Sequence, residues 1–164
     1  MKNLGKAFEQ NFRKSIPVCD DIFYYRLKDS ASSYYGGNEN LRFSQNNIAD
    51  AFLFWSNEYR NFLFILEFKH HKGKSLPLSC IRENQLKEMT LASSKQNVIP
   101  MLIVFFSDVD KCFSLTIEQL NDFINKNDRK SIPYEYFEKN GIPIEVKKLK
   151  TNYRYDVLRW LNNI

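Results

Sequence analysis

The sequence predicts an α/β domain, a mixed sheet with helices on its faces, and three features carry that reading. IPMLIVFF (residues 99–106) is apolar at every position, as a central strand covered on both faces must be. ADAFLFW (49–55) and NFLFILEFK (61–69), separated by the turn-forming SNEYR, read as the two arms of a hairpin. Segments with helical spacing or helix caps lie between and around these strands, so both element types share one layered core.

Residues 4–15 predict a helix. Leu4, Phe8 and Phe12 recur every four positions with Ala7 beside them, giving one apolar stripe. Pro17 restricts Ile16 and ends it. IFYYRL (22–27) reads as a strand. DSASSYYGGNEN (29–40) is polar, glycine-containing and unpatterned, hence a loop. After the hairpin, HHKGKSLPLS reads as another loop, and Ser79 is placed to cap a helix over about residues 81–95. CFSLTI follows the central strand as a further strand. Thr116 and Gln119 fit a capping box for a helix running to about Asn125. SIPYEYFEKNG reads as a short helix, with Pro133 near its start and Gly141 past its end. IEVKKL reads as a strand, and a Tyr- and Arg-rich tail follows.

The 164 residues suffice for a single domain with a real core, and they contain no internal repeat or low-complexity tract. A formal charge of +5 favours a polyanionic partner only mildly. Cys19, Cys80 and Cys112 are odd in number and scattered. They form neither a disulfide framework nor a CxxC pattern, which suits a reducing cytoplasm. No N-terminal apolar leader is present, and no apolar run approaches the roughly 18 residues of a membrane span. The expectation is a soluble cytoplasmic domain with no membrane partner.

Glu67 and Lys69 interrupt an apolar strand. Side chains alternate faces along a strand, so these two share one face with Leu63 and Ile65, while Phe62, Phe64, Leu66 and Phe68 form a core face opposite. Asp50 heads the preceding strand, and a hairpin brings it beside the far end of 61–69. Two converging carboxylates repel unless a cation lies between them, and hard oxygen ligands favour Mg²⁺ or Mn²⁺. Such a centre, with Lys69 beside it, can cleave a phosphodiester. The same spacing also describes an ion pair reaching solvent at a strand end. His70 and His71 are adjacent and face opposite ways, which favours polar or DNA-facing roles over a shared zinc ion.

The pattern D-x(n)-ExK on a hairpin, after an N-terminal helix, resembles the PD-(D/E)xK nuclease superfamily. GKAFEQNF (5–12), YRLKDS (25–30), NIADAFLF (47–54), LEFKHHKGKSLPLSCIRENQL (66–86) and RKSIPYEYFEKNGIPI (129–144) resemble, in order, the RecU-type Holliday junction resolvases and their phage-encoded relatives. One departure is that Ile48 and Ala49 precede Asp50 where the superfamily commonly has a proline. The resemblance implies a restriction-endonuclease-like core with a protruding stalk inserted at 29–44. It implies Asp50 and Glu67 as metal ligands with the Phe68 carbonyl as a third, Lys69 as the catalytic lysine, Gln85 near the active site, and Glu9 as an assisting acid. It also implies a homodimer acting on four-way junctions, which suits their approximate two-fold symmetry.

Lys72, Lys74 and Ser75 lie just beyond the site, where a passing phosphate backbone needs cations and hydroxyl donors. Arg26, in the YRLKDS block, and Arg129 and Lys130 are further expected DNA contacts. In the 29–44 insertion Tyr34, Tyr35, Gly36, Gly37 and Arg42 could meet the unstacked bases of an open junction. Lys147, Lys148, Lys150 and Arg154 form another basic group. For each the alternative is a solvated loop or face. At the level of function, the alternatives are a nuclease acting on duplex DNA, a junction-binding protein without cleavage, and a domain in which ExK is accidental.

Overall fold

In a computed structural model, residues 3–27 and 47–164 are described. The expected insertion at 29–44, with Tyr34, Tyr35 and Arg42, lies outside the described residues. The apolar runs become a six-stranded sheet: β1 (Ile22–Arg26), β2 (Ala51–Ser56), β3 (Asn61–His71), β5 (Val98–Phe106), β6 (Lys111–Thr116) and β8 (Ile142–Ile144), adjacent in that order. β1, β2 and β3 form an antiparallel meander. β3 and β5 run parallel, with Glu67 opposite Leu102, as their long connection through helix α2 (Glu83–Ser93) allows. β6 is antiparallel to both β5 and β8, so the sheet is mixed.

The period of two divides the core into layers. Phe64, Leu66 and Phe68 of β3 join Met101, Ile103 and Phe105 of β5 on one face, under Phe8 and Phe12 of helix α1 (Leu4–Arg13) and Trp160 and Leu161 of helix α5 (Val157–Asn162). Ile65, Leu102, Val104 and Phe106 face the other way, under Met89 of α2, Leu120 and Phe123 of helix α3 (Ile117–Lys126), and Phe137 of helix α4 (Tyr134–Asn140). Burying each such side chain contributes about 1.5–3 kcal/mol. Aromatic rings dominate the first layer, with Phe12 against Phe68 at 4.9 Å and Phe8 at right angles to Phe68 at 5.5 Å. The buried Trp160 indole N–H donates to Ser114 Oγ at 2.8 Å, giving both polar groups a partner.

Strand β10 (Tyr153–Tyr155) pairs with β9 (Val146–Lys148), and the pair docks on α1. The Tyr155 N–H donates to Ser15 Oγ at 3.0 Å, and the Tyr155 ring meets Phe8 and Phe12 at 5.4 and 5.7 Å.

Several local expectations change. In α1, Phe8 and Phe12 are buried as the stripe predicts, but Leu4 is 55% exposed and the helix ends at Arg13. HHKGKSLPLS is not one loop: His70 and His71 extend β3, and Ser75–Pro77 forms strand β4. β4 pairs with β7 (Ser131–Pro133), so SIP is a strand and α4 starts only at Tyr134. Ser79 lies in the 3₁₀ turn Leu78–Cys80 and caps nothing; α2 starts after Arg82, without a side-chain cap. IEVKKL splits, because Ile144 closes β8 on the main sheet while Val146 opens β9. The capping box holds: Thr116 Oγ1 accepts from the Gln119 N–H, and Gln119 Oε1 accepts from the Thr116 N–H. No described helix is long and apolar enough to cross a membrane.

Gly141 follows α4 as expected, for a different reason. Its backbone is extended (φ −80°, ψ 157°), a conformation open to any residue. A Cβ here would stand 2.7 Å from the Phe137 carbonyl oxygen and 3.1 Å from that of Ser114. Gly141→Ala is therefore expected to destabilise the fold by about 1–3 kcal/mol, the usual penalty of overpacking. Urea unfolding checks this, and an unchanged midpoint would show that the backbone yields freely.

Candidate active site

The β2–β3 ladder ends at the Ala51–Leu66 pair. One residue further, the Asp50 N–H still donates to the Leu66 carbonyl at 3.0 Å. β3 continues to His71 with β5 at its side. The next N–H on the edge left by β2 belongs to Phe68, and it donates to Asp50 Oδ2 at 2.8 Å. The N–H and C=O of one strand residue point to the same edge, so the Phe68 carbonyl opens toward the Asp50 side.

Glu67 faces the α2 layer, and its side chain is only 3% exposed. A buried carboxylate needs partners. Lys69 Nζ donates to Glu67 Oε1 at 2.6 Å, and Gln85 Nε2, from the first turns of α2, donates to Oε2 at 2.9 Å. Asp50, Glu67, Lys69, Gln85 and the Phe68 backbone thus come together as the sequence predicts. Gln85 Oε1 is buried and has no hydrogen-bond partner among the described residues. An orphaned acceptor on the amide that holds Glu67 is suited to a water molecule or to a water carried by a cation.

Burial pushes Asp50 up to about 7. The Glu67 charge adds to the rise and the Phe68 N–H opposes it. Burial also raises Glu67, against the pull of Lys69 and of Arg82. Glu9 contributes to both shifts, which places the α1 acid near the pair. Arg26 Nε donates to Glu9 Oε2 at 2.9 Å, and Arg26 stands opposite Ala51 across the β1–β2 ladder. Arg26, expected as a DNA contact, is thus an ion-pair partner of Glu9 in this structure, with its side chain 31% exposed.

Among the described residues no three His, Cys, Asp or Glu side chains converge as a full metal-ligand set. The oxygens that could hold a cation are the Asp50 and Glu67 carboxylates and the Phe68 carbonyl. All are hard donors, as Mg²⁺ or Mn²⁺ prefers, with water completing the shell. His70 and His71 lie on opposite faces, against Phe105 and Phe106 at 5.7 and 6.3 Å.

The structure also joins two basic blocks far apart in sequence. Antiparallel pairing of β4 with β7 sets Ser75 opposite Pro133 and Ser131 opposite Pro77, which leaves Lys72 and Lys74 at one end of the ribbon and Arg129 and Lys130 at the other. Ser75 Oγ donates to Ser131 Oγ at 2.7 Å, and all four cations are exposed. The 3₁₀ turn after β4 carries Cys80, whose thiol feels the charges of Lys69 and Glu67. Arg82 and Cys80 were not legible as neighbours of the site, nor Ser131 as the partner of Ser75. Their only signal is that Cys80 and Arg82 precede the helix bearing Gln85, and that Ser131 follows Arg129 and Lys130.

The other basic group stands apart. Lys148 bonds Asp110 at 2.9 Å and Arg154 bonds the Lys14 carbonyl at 3.2 Å, both through the β9–β10 pair. A cavity of about 430 Å³ lies between β6, β8 and α4, lined by Phe113, Tyr134 and Ile144 among others, and holds none of the acidic residues of the site.

The family described as RecU, recombination protein U, matches residues 43–162. An SPbeta prophage-derived uncharacterized protein, YotM, of Bacillus subtilis is 29% identical over 170 residues, covering 93% of this chain and 82% of the relative. The Holliday junction resolvase RecU of Ureaplasma parvum is 27% identical over 157 residues, covering 88% and 85%.

The Asp50 shift has a sign that can be measured. A carboxyl whose pKa rises on folding, here from 3.8 to about 7, holds its proton in the folded state where the unfolded chain has lost it. Its contribution to stability therefore falls as pH rises from about 4 to about 7 and stays low above that. In EDTA, Asp50→Asn is expected to flatten this part of the profile and to stabilise the protein at pH 8 by on the order of 2 kcal/mol. Urea unfolding across the pH range reads both. Parallel profiles for the two proteins would show that Asp50 is not perturbed.

Proposed function

The chain belongs to the RecU, recombination protein U, family, and on that premise we propose that it is a metal-dependent endonuclease that resolves four-way DNA junctions by paired, symmetric nicks. The observation that carries this reading is the convergence at the end of β2: Asp50 tied to the Phe68 N–H, and Glu67 held between Lys69 and Gln85. Asp50, Glu67 and the Phe68 carbonyl would hold Mg²⁺ or Mn²⁺. The bound ion supplies polarisation of a phosphodiester oxygen and a more acidic water.

The chain's own groups do the rest. Lys69, already within 2.6 Å of Glu67, places an ammonium where negative charge develops on the phosphate. Gln85 steadies Glu67 through its amide N–H and offers its free carbonyl oxygen to the attacking water. Glu9, an assisting acid whose charge both carboxyls feel, is paired with Arg26 in the DNA-free protein. Lys72, Lys74, Ser75, Arg129 and Lys130 contact the DNA backbone, Arg26 joins them by exchanging Glu9 for phosphate, and Tyr34, Tyr35 and Arg42 meet the junction. Two nicks of like polarity in a two-fold junction require two such sites, which a homodimer provides. The similarity to a resolvase of U. parvum supports branched DNA as the substrate.

The test compares a labelled mobile four-way junction with a matched duplex, in Mg²⁺, in Mn²⁺ and in EDTA. Symmetric paired nicks in the junction alone, lost in EDTA, are expected. Lys69→Ala should lower kcat by about 10²–10³-fold, the usual size for one charge-stabilising donor, with junction affinity kept. Equal cutting of duplex would make this a duplex nuclease. Tight junction binding with no cutting in either metal would leave a binding protein.

A further inference from the structure

Resting on that reading, we infer that the β4–β7 ribbon is a two-fold phosphodiester-binding element, in which Lys74, Ser75, Lys130 and Ser131 hold the DNA backbone beside the acidic site. The two strands carry the same four-residue pattern, Lys-Ser-aliphatic-Pro: Lys74-Ser75-Leu76-Pro77 and Lys130-Ser131-Ile132-Pro133. They pair antiparallel with Leu76 opposite Ile132, so a local two-fold axis passes through that pair. The flanking hydrogen bonds obey it. The Tyr134 N–H donates to the Lys74 carbonyl, and the Leu78 N–H donates to the Lys130 carbonyl, each at 2.9 Å.

Leu76 and Ile132 are fully buried and anchor the ribbon to the core. The alternation of a strand then puts both serines and both prolines on the opposite face, while Lys74 and Lys130, one residue outside each strand and in phase with the buried pair, reach solvent at the two ends of the ribbon. Ser75 Oγ gives its proton to Ser131 Oγ at 2.7 Å, with the Ile132 carbonyl as a longer alternative at 3.5 Å. A hydroxyl has one proton and two lone pairs. The Ser131 proton has no acceptor among the described residues, so it is available to an outside anion. Lys72, Lys74, Arg129 and Lys130 are exposed and form no ion pair with an acid among the described residues.

Anchoring alone would require only Leu76 and Ile132. It accounts neither for the duplicated lysines and serines nor for uncompensated cations on a fixed ribbon. Lys130 lies opposite Leu78, four positions along from Lys74, a separation of about 13 Å at roughly 3.3 Å per residue. The two lysines stand at opposite ends of the ribbon, and each takes its own phosphate in this reading. The ribbon follows directly from β3, and its 3₁₀ turn reaches the Lys69–Glu67 pair through Cys80. DNA backbone lying on it is led into the site.

The test uses the full chain and two double variants, Lys74→Gln with Lys130→Gln and Ser75→Ala with Ser131→Ala. Binding to labelled junction and to plain duplex is titrated in EDTA from 50 to 200 mM salt, followed by junction cleavage in Mg²⁺. The lysine variant should reduce the slope of log affinity against log salt by about two, near 0.9 for each phosphate no longer neutralised, and raise KM about tenfold with kcat within twofold. The serine variant should raise KM severalfold and leave the slope unchanged, because neutral donors displace no counterions. Both variants should unfold at the wild-type temperature; if the serine variant does not, the lysine slope decides. An unchanged slope and KM in the lysine variant would make the ribbon purely structural. Wild-type protein that binds DNA without cutting it would overturn the proposed function while the slope still tests the ribbon, and wild-type protein that binds no DNA would overturn both.

Discussion

β2 stops one residue short of where β3 still needs a partner, and the Phe68 N–H left open there is taken by the Asp50 carboxylate at 2.8 Å. That bond satisfies an amide that would otherwise face an empty edge. It also fixes where Asp50 stands relative to Glu67 and turns the Phe68 carbonyl to the same side. Register follows from it. A slip of one residue in β3 would carry Glu67 into the rings of Phe8 and Phe12 and turn Phe68 toward Gln85. The aromatic layer and the acidic group are therefore two faces of one constraint.

Electrostatically the site works against the fold. Asp50 and Glu67 both carry carboxyls displaced upward by burial, which means that folding disfavours their charged forms. The ion pair with Lys69 and the Gln85 amide offset part of this for Glu67. The remainder is borne by the two apolar layers, in which Phe12, Phe64, Phe106, Phe137 and Trp160 are fully buried. A pair of carboxyls that resist ionising together is poorly explained as a stabilising device; relief of that repulsion is what the proposed cation would supply.

Much of this was legible where a strong period or a fixed spacing operates. The apolar run at 99–106 became the central β5, and the Thr116–Gln119 spacing became the capping box it resembles. Glu67 and Lys69 were readable because β3 holds them on one face, whereas Gln85 was pointed to only by the family resemblance. What was missed is short. β4 and β7 have three residues each, too few to show any period, and they exist because each supplies the other's hydrogen bonds across the chain. Neither half of the matched Lys-Ser-aliphatic-Pro pair signals anything alone. Ser79 was misplaced for a related reason: the chain inserts a tight 3₁₀ turn before α2, so the residue at the helix start is Arg82. Arg26 shows the same limit for side chains, since its partner Glu9 comes from a helix across the sheet edge.

The seating of α1 also sets an order in time. The helix bearing Glu9 is made first, but its aromatic stripe rests on Tyr155, Trp160 and Leu161 as well as on β3. During synthesis that surface does not exist until residues 153–161 have left the ribosome, and until then Phe8 and Phe12 lack one wall of their socket. A nascent chain can close the β2–β3 hairpin, and with it the Asp50–Phe68 bond, long before it can fix the acid on α1. The placement of Glu9 near the Asp50–Glu67 pair is therefore a late product of translation.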